Sequence, residues 1–133
     1  KPEDVSQIID IGKKGHFIIH PQEFILCSTI ESVGLPADVA AKLEGRSSLG
    51  RLGLIIHATA GYIDPGFSGQ LTLEVSNISR LPIKLYPQMR IAQISFVQMS
   101  SPVLNMYGSK KLGSKYQNQK DPTESRIWKD FKK

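Results

Sequence analysis

The segment Glu44-Gly45-Arg46-Ser47-Ser48-Leu49-Gly50-Arg51 sets two hydroxyls between two arginines. Short hydroxyls, backbone N–H groups at a helix start and forked guanidinium donors all suit phosphate oxygens, and glycines let a backbone approach a ligand closely. The same residues also describe an exposed turn with ordinary surface arginines. A second stretch runs from His57 to Gly69 and contains Asp64-Pro65-Gly66, a favourable turn sequence. Asp64 is then either the residue that orders this turn or a carboxylate that accepts from a sugar hydroxyl or a water. The third feature is Glu74, in the middle of Gln70-Leu71-Thr72-Leu73-Glu74-Val75-Ser76. On a solvated face a carboxylate there is ordinary. In a cleft, desolvation raises its pKa and makes it a proton shuttle near neutral pH.

The segment that carries Glu74 alternates strictly between polar and apolar, the period of a half-buried strand, with Leu71, Leu73 and Val75 inward. Further strands are expected at His16 to His20, Glu23 to Val33, Leu54 to Ile56, Ile83 to Leu85 and Arg90 to Val97. Gly, Pro, Asn and Ser separate them, which argues for an all-β sandwich or barrel. Helical signals are confined to one turn in Ser47 to Leu54, capped by Ser47 or Ser48, and a brief helix over Pro122 to Trp128. From Ser100 the composition turns polar. Residues 1–99 are expected to form the barrel core and residues 100–133 an arm or lid.

The chain has 133 residues, enough for one domain. Its 40% hydrophobic and 22% charged residues are a globular balance, and a domain this small gains from burying apolar surface in an oligomer. The single Cys27 rules out an intramolecular disulfide and a cysteine-rich zinc site, and its apolar neighbours make it a buried structural thiol. His16, His20 and His57 lack metal-ligand spacing, and the elements of a zinc deaminase are missing. No apolar run approaches the roughly 18–20 residues that span a bilayer, so no membrane partner is expected. Lys1-Pro2-Glu3-Asp4 has no signal-peptide pattern, which leaves a cytoplasmic protein as the expectation. The formal charge is +5. Much of the excess lies in Lys110, Lys111, Lys115, Lys120, Arg126, Lys129, Lys132 and Lys133, read as a solvated basic tail. No recognition helix or aromatic RNA-binding pattern accompanies it, so nucleic acid is not an expected partner.

Taken together, Glu44 to Leu54, Thr59 to Gly69, Leu71 to Glu74, Leu81-Pro82-Ile83, Tyr86-Pro87, Ile91 to Phe96 and the tail stretches Tyr107-Gly108-Ser109 and Gly113 to Gln119 resemble the dCTP deaminase family of the dUTPase-like superfamily. The resemblance runs from about Ile8 to Arg126. It implies a distorted, jelly-roll-like β-barrel, assembled as a homotrimer with active sites shared between subunits. It also implies a preceding segment with a helix and an early strand pair, after which this chain starts.

By the same resemblance, Arg46, Ser47, Ser48, Leu49, Gly50 and Arg51 would hold the triphosphate and frame the base. Asp64 would bind the deoxyribose 3′-hydroxyl. Thr72, Leu73 and Glu74 would meet the pyrimidine, while Tyr107, Lys115 and Gln119 would close over the nucleotide. Magnesium would be bound through the triphosphate, without zinc. In the mechanism this implies, Glu74 takes a proton from water, delivers it to N3 of cytosine and helps ammonia leave. Ser47 and the Ala60 carbonyl would position that water, with Arg51 fixing the charge around Glu74.

Gly61-Tyr62 is similar to the Gly-Phe pair of the subgroup that also hydrolyses dUTP, and Gln93 matches that subgroup's extra nucleotide contact. A small residue at Gly61 is expected to leave room for a water to reach the α-phosphorus, with Asp64 as its activator. The product expected is therefore dUMP. The alternatives are a deaminase that stops at dUTP, a dUTPase, and a nucleotide-binding trimer without catalysis.

Overall fold

The computed structural model describes residues 6–131. The opening Lys1-Pro2-Glu3-Asp4 and the tail's Lys132 and Lys133 lie outside the described residues.

The strand carrying Glu74 lies at the centre of the fold. It runs as β6 (Ser68–Asn77), after β1 (Phe17–Ile19), β2 (Phe24–Gly34), β3 (Val39–Gly45), β4 (Leu54–Ile56) and β5 (Tyr62–Ile63), and before β7 (Ile83–Leu85) and β8 (Ala92–Gln98). Its alternation is realised as expected: Leu71, Leu73 and Val75 are buried, and Thr72, Glu74 and Ser76 are only partly so. Burying each of these apolar side chains is worth about 1.5–3 kcal/mol.

Antiparallel β2 covers one edge of β6, with Leu26 opposite Glu74 and Cys27 opposite Leu73. The register breaks between Ser28 and Ser32. There the Thr29 hydroxyl accepts the Leu71 N–H at 2.9 Å, filling a ladder position that the bulge vacates. On the other edge, β4 pairs only with the last residues of β6, from Val75 to Asn77.

A second sheet has the order β5-β3-β8, and β1 pairs with β7. The three sheets close around one core that includes Ile19, Leu43, Leu54, Ile63, Phe67 and Leu85, a distorted all-β barrel. Cys27 packs against that core, and burial pushes its thiol up to about 11. Among the described residues, no helix is long and apolar enough to cross a membrane.

Three local expectations differ from the structure. The helical turn α1 (Ser47–Gly50) is capped by Arg46, whose backbone is extended, and neither serine makes a capping side-chain bond. Leu49, buried in the core, anchors that turn instead. The terminal helix is a 3-10 turn at Ile127–Phe131, later than Pro122 to Trp128. His16 and His20 flank β1 without belonging to it.

A polar knot closes the end of β6. Asn77 is fully buried, and its Nδ2 donates to the carbonyls of Ile19 at 3.0 Å and Leu81 at 2.8 Å. Its Oδ1 accepts from the Ser79 N–H at 2.9 Å and the Ser79 hydroxyl at 2.8 Å.

The arm folds back onto the start of β6. Gln119 pairs in parallel with Gly69, the Gln70 N–H donates to the Gln119 carbonyl at 3.0 Å, and Gln119 Nε2 donates to the Gln70 carbonyl at 2.8 Å. Gly69 is needed there: its φ is +140°, and a Cβ would sit 2.9 Å from the Gln119 nitrogen.

Candidate active site

Between the arm and β4, part of the β6 edge is left without a partner strand. Leu71 turns its N–H to β2, whereas Gln70 and Glu74 turn theirs the other way, to Gln119 and to His57 Nδ1. The two-residue period of the strand therefore aims the Thr72 N–H and C=O at the same edge, between those two partners. This edge floors a cleft of about 480 Å³ whose walls come from β2, the 57–64 segment and the arm. Leu26, Phe67 and Leu71 supply apolar surface, and Thr72, Glu74 and Asp64 supply polar groups.

The Glu74 carboxylate is held asymmetrically. Oε2 accepts both the backbone N–H of Thr59 at 3.1 Å and its hydroxyl at 3.0 Å. Oε1 has no such saturation and lies 3.6 Å from His57 Nε2. Because His57 Nδ1 accepts the Glu74 backbone N–H at 3.0 Å, the imidazole proton belongs on Nε2, facing Oε1. Burial lowers the His57 pKa, and the neighbouring Glu74 charge opposes that shift.

This arrangement has a consequence for stability. A histidine whose folded pKa lies below its unfolded value binds the proton more readily when unfolded. Its stabilising contribution is complete above the ordinary value of 6.5 and is lost as pH falls through the lowered one. Urea midpoints measured across this range are expected to fall more steeply on acidification in the wild type than in His57→Gln, which has no group to titrate there. Parallel curves would contradict the burial of a neutral imidazole.

About half of the carried-over site converges on this cleft. Asp64, Thr72, Glu74, Tyr107 and Gln119 line it, as do Ala60, Gly61 and Tyr62. At Asp64 the turn is closed by the backbone, with the Phe67 N–H donating to the Asp64 carbonyl at 3.1 Å. Among the described residues none donates to the Asp64 carboxylate, which is left for the cleft. The side chain of Leu73 is in the core, so only its backbone can meet a ligand.

The phosphate-type motif is elsewhere in the chain. Arg46, Ser47, Ser48, Gly50 and Arg51 are exposed on and beside α1, and none of them lines the Glu74 cleft. Arg46 donates to the Arg90 carbonyl at 2.9 Å, and Gln93 sits on β8 opposite Glu44. Lys115 is paired with Asp130. A neighbouring cleft of about 430 Å³, bordered by Lys42, Glu44 and Gly45, shares the wall formed by His57, Ala60, Gly61 and Tyr62.

The geometry gives Gly61 a different reason from open space beside a ligand. A Cβ there would lie 2.6 Å from the Leu43 carbonyl oxygen, because the Gly61 carbonyl accepts the Leu43 N–H at 2.8 Å. The glycine is dictated by close approach of two backbones.

Thr59 and His57, which hold Glu74, were not singled out as site residues by the sequence. His57 is legible there only as a histidine without metal spacing, since its partner is 17 residues away across the β4–β6 pairing. Among the described residues no group of three or more His, Cys, Asp or Glu side chains is placed to hold a metal ion.

Known proteins resemble this chain in sequence and in fold. The chain is 58% identical over 130 residues to a protein of Dictyoglomus thermophilum named dCTP deaminase, dUMP-forming, covering 98% of this chain and 66% of that one. It is 53% identical to a protein of the same name from Corynebacterium kroppenstedtii, covering 98% and 70%. The chain thus spans about two thirds of the length of these relatives. The crystal structure of 2'-deoxycytidine 5'-triphosphate deaminase from Agrobacterium tumefaciens superposes with a TM-score of 0.60 at 24% identity, over 67% of this chain and 27% of that one, a likeness of fold. A model of the family described as dCTP deaminase-like matches residues 1–99. With three quarters of its length inside that match and a carboxylate seated at the barrel's open strand edge, the chain belongs to the dCTP deaminase-like family.

Proposed function

We propose that the protein converts dCTP and two waters to dUMP, ammonia and pyrophosphate, by deamination at C4 of cytosine and hydrolysis at the α-phosphorus. The observation that carries this reading is the held Glu74 carboxylate beside an unpaired strand edge. The names of the relatives from Dictyoglomus thermophilum and Corynebacterium kroppenstedtii support the same reaction.

A flat heterocycle fits the gap on β6. The Thr72 N–H and C=O offer it one donor and one acceptor, and the Glu74 carboxylate lies alongside. Two Thr59 donors occupy Oε2, so the proton taken from water travels on Oε1. Oε1 passes it to N3 as water adds to C4. It then collects the second proton and hands it to the departing amine. Solvent-side positioning of water by the Ala60 carbonyl, at the rim of the same cleft, completes the step. Asp64 binds the 3′-hydroxyl and aids the second hydrolysis.

The triphosphate partners come from a neighbouring copy. In one chain Ser47 and Arg51 are exposed and apart from Glu74, and β8 presents Phe96 and Val97 to solvent at 61% and 51% exposure. A homotrimer that buries such surface brings the α1 motif of one subunit to the cleft of the next, with Arg46, Ser48 and Gly50 at the phosphates and Gln93 beside them. Tyr107 and Gln119 stay in place as the lid, and Lys115 exchanges Asp130 for phosphate.

Among the described residues a divalent ion meets single carboxylates and no cluster, a donor set that suits magnesium held chiefly by the triphosphate's own oxygens. Such an ion supplies charge neutralisation at the phosphates. A cytoplasmic nucleotide enzyme accords with this reading.

Incubation with dCTP, with nucleotides, ammonia and pyrophosphate read together, tests it. The expected result is dUMP with ammonia and pyrophosphate in equal amounts. Accumulating dUTP without pyrophosphate removes the second hydrolysis, and no ammonia removes the first.

A further inference from the structure

We propose that His57 is a positioning residue for Glu74, acting as a neutral imidazole that sets both the backbone and the carboxylate of the proton shuttle. The inference rests on the reaction proposed above for its catalytic readout and on geometry alone for its contact.

Both ring nitrogens are committed to one residue. Nδ1 accepts the Glu74 backbone N–H at 3.0 Å, and Nε2 faces Glu74 Oε1 at 3.6 Å. The side chain is 8% exposed, so water does not compete freely for either nitrogen. His57 directly follows β4, the strand that holds the far end of β6. Its Nδ1 therefore continues the edge pairing of β6 one step beyond β4, at the residue that must not shift. Thr59 grips Oε2 and leaves Oε1 as the oxygen that gains and loses a proton. At 3.6 Å the Nε2–H steadies the charge on Oε1 without occupying it as a full hydrogen bond would.

The arrangement works in only one protonation state. A proton on Nδ1 would point at the Glu74 N–H, donor against donor, and release the strand edge. The groups around the ring are Glu74 from β6, Lys42 and Glu44 from β3, which pair with each other at 3.1 Å, Asp64 after β5, and the phenols of Tyr62, Tyr107 and Tyr116. Of these only Glu74 is in contact with the ring nitrogens, and burial of the imidazole favours the neutral form.

Three variants of the intact protein separate positioning from mere packing. In His57→Asn the side-chain oxygen stands where Nδ1 does and keeps an acceptor for the Glu74 N–H. In His57→Gln the amide reaches towards the Nε2 position and loses that acceptor. His57→Ala loses both. A displacement of about 1 Å at a reacting group costs about 100-fold in rate, so His57→Ala is expected to lose about 100-fold in kcat with KM for dCTP nearly unchanged. His57→Asn is expected to regain at least tenfold of that loss, and to lack the acid limb that wild-type kcat shows as His57 protonates. Equal kcat in His57→Ala and wild type, or no rescue by asparagine in a folded variant, overturns the proposal.

Hydrogen exchange at the Glu74 amide reads the contact without turnover. It is expected to be slow in wild type and His57→Asn, and at least tenfold faster in His57→Ala and His57→Gln. Unchanged exchange in His57→Ala overturns the proposal even if dCTP is a substrate. A wild type inert towards dCTP with the expected exchange pattern overturns the reaction and leaves the contact standing.

Discussion

Glu74→Gln is expected to lose about 10² to 10⁴ in the rate of ammonia release from dCTP while still binding the nucleotide, the range that general acid–base help supplies. The amide is nearly isosteric with the carboxylate. Its oxygen can keep the two Thr59 bonds at Oε2. Its nitrogen then takes the place of Oε1, where it meets the His57 Nε2–H as a second donor and has no lone pair for a proton. Binding surface, cleft shape and the Thr72 edge are left as they were. Single-turnover measurements with dCTP, alongside a nucleotide-binding titration, separate the two effects. Deamination within tenfold of wild type would sink the assignment of the shuttle.

The second large effect concerns stability. Asn77→Ala is expected to cost about 3 kcal/mol or more, because it strips partners from several buried groups, each worth about 1–3 kcal/mol when left unsatisfied. The carbonyls of Ile19 and Leu81 lose their donor, and Ser79 loses the acceptor of its N–H and hydroxyl. Those groups sit on β1, on the turn after β6 and before β7, so the knot joins two sheets. Domains of this kind hold about 5–15 kcal/mol in all, so the loss takes a large share. Urea unfolding is expected to show a lower midpoint at unchanged slope. Since Asn77 does not line the cleft, the folded fraction should keep wild-type kcat. A cost below about 1 kcal/mol would mean that water or a shifted turn replaces the lost partners.

Much of the barrel was legible because it obeys simple periods. β6 alternates cleanly, β2 is a longer run ending at Gly34, and β1, β4, β7 and β8 are short segments bounded by turn residues. β3 was not seen. Val39 to Gly45 holds two alanines with Lys42 and Glu44, residues poor in strand preference, and it becomes a strand because β5 and β8 flank it. β5, with two residues, has no signal of its own.

The site divides in the same way. Asp64 and Glu74 were identifiable as residues, but whether Glu74 faced water or a cleft was not. That depends on the arm and the 57–61 segment, which return from far along the chain. Thr59 and His57 were hidden for the same reason. Ser47 or Ser48 was expected as the cap because hydroxyl preference at a helix start is a local tendency, overridden here by Leu49 docking in the core.

The arm meets β6 through hydrogen bonds between residues 49 to 51 positions apart, at Gln70, Thr72 and Ser68. Pairings within the barrel close loops as wide or wider, Phe24 with Ser76, Val39 with Gln98 and Phe17 with Leu85, so the arm is set apart by how few groups hold it rather than by its span. With Gln119 as the arm's one buried polar anchor among the described residues, the arm is expected to peel from β6 at a lower free-energy cost than melting the barrel.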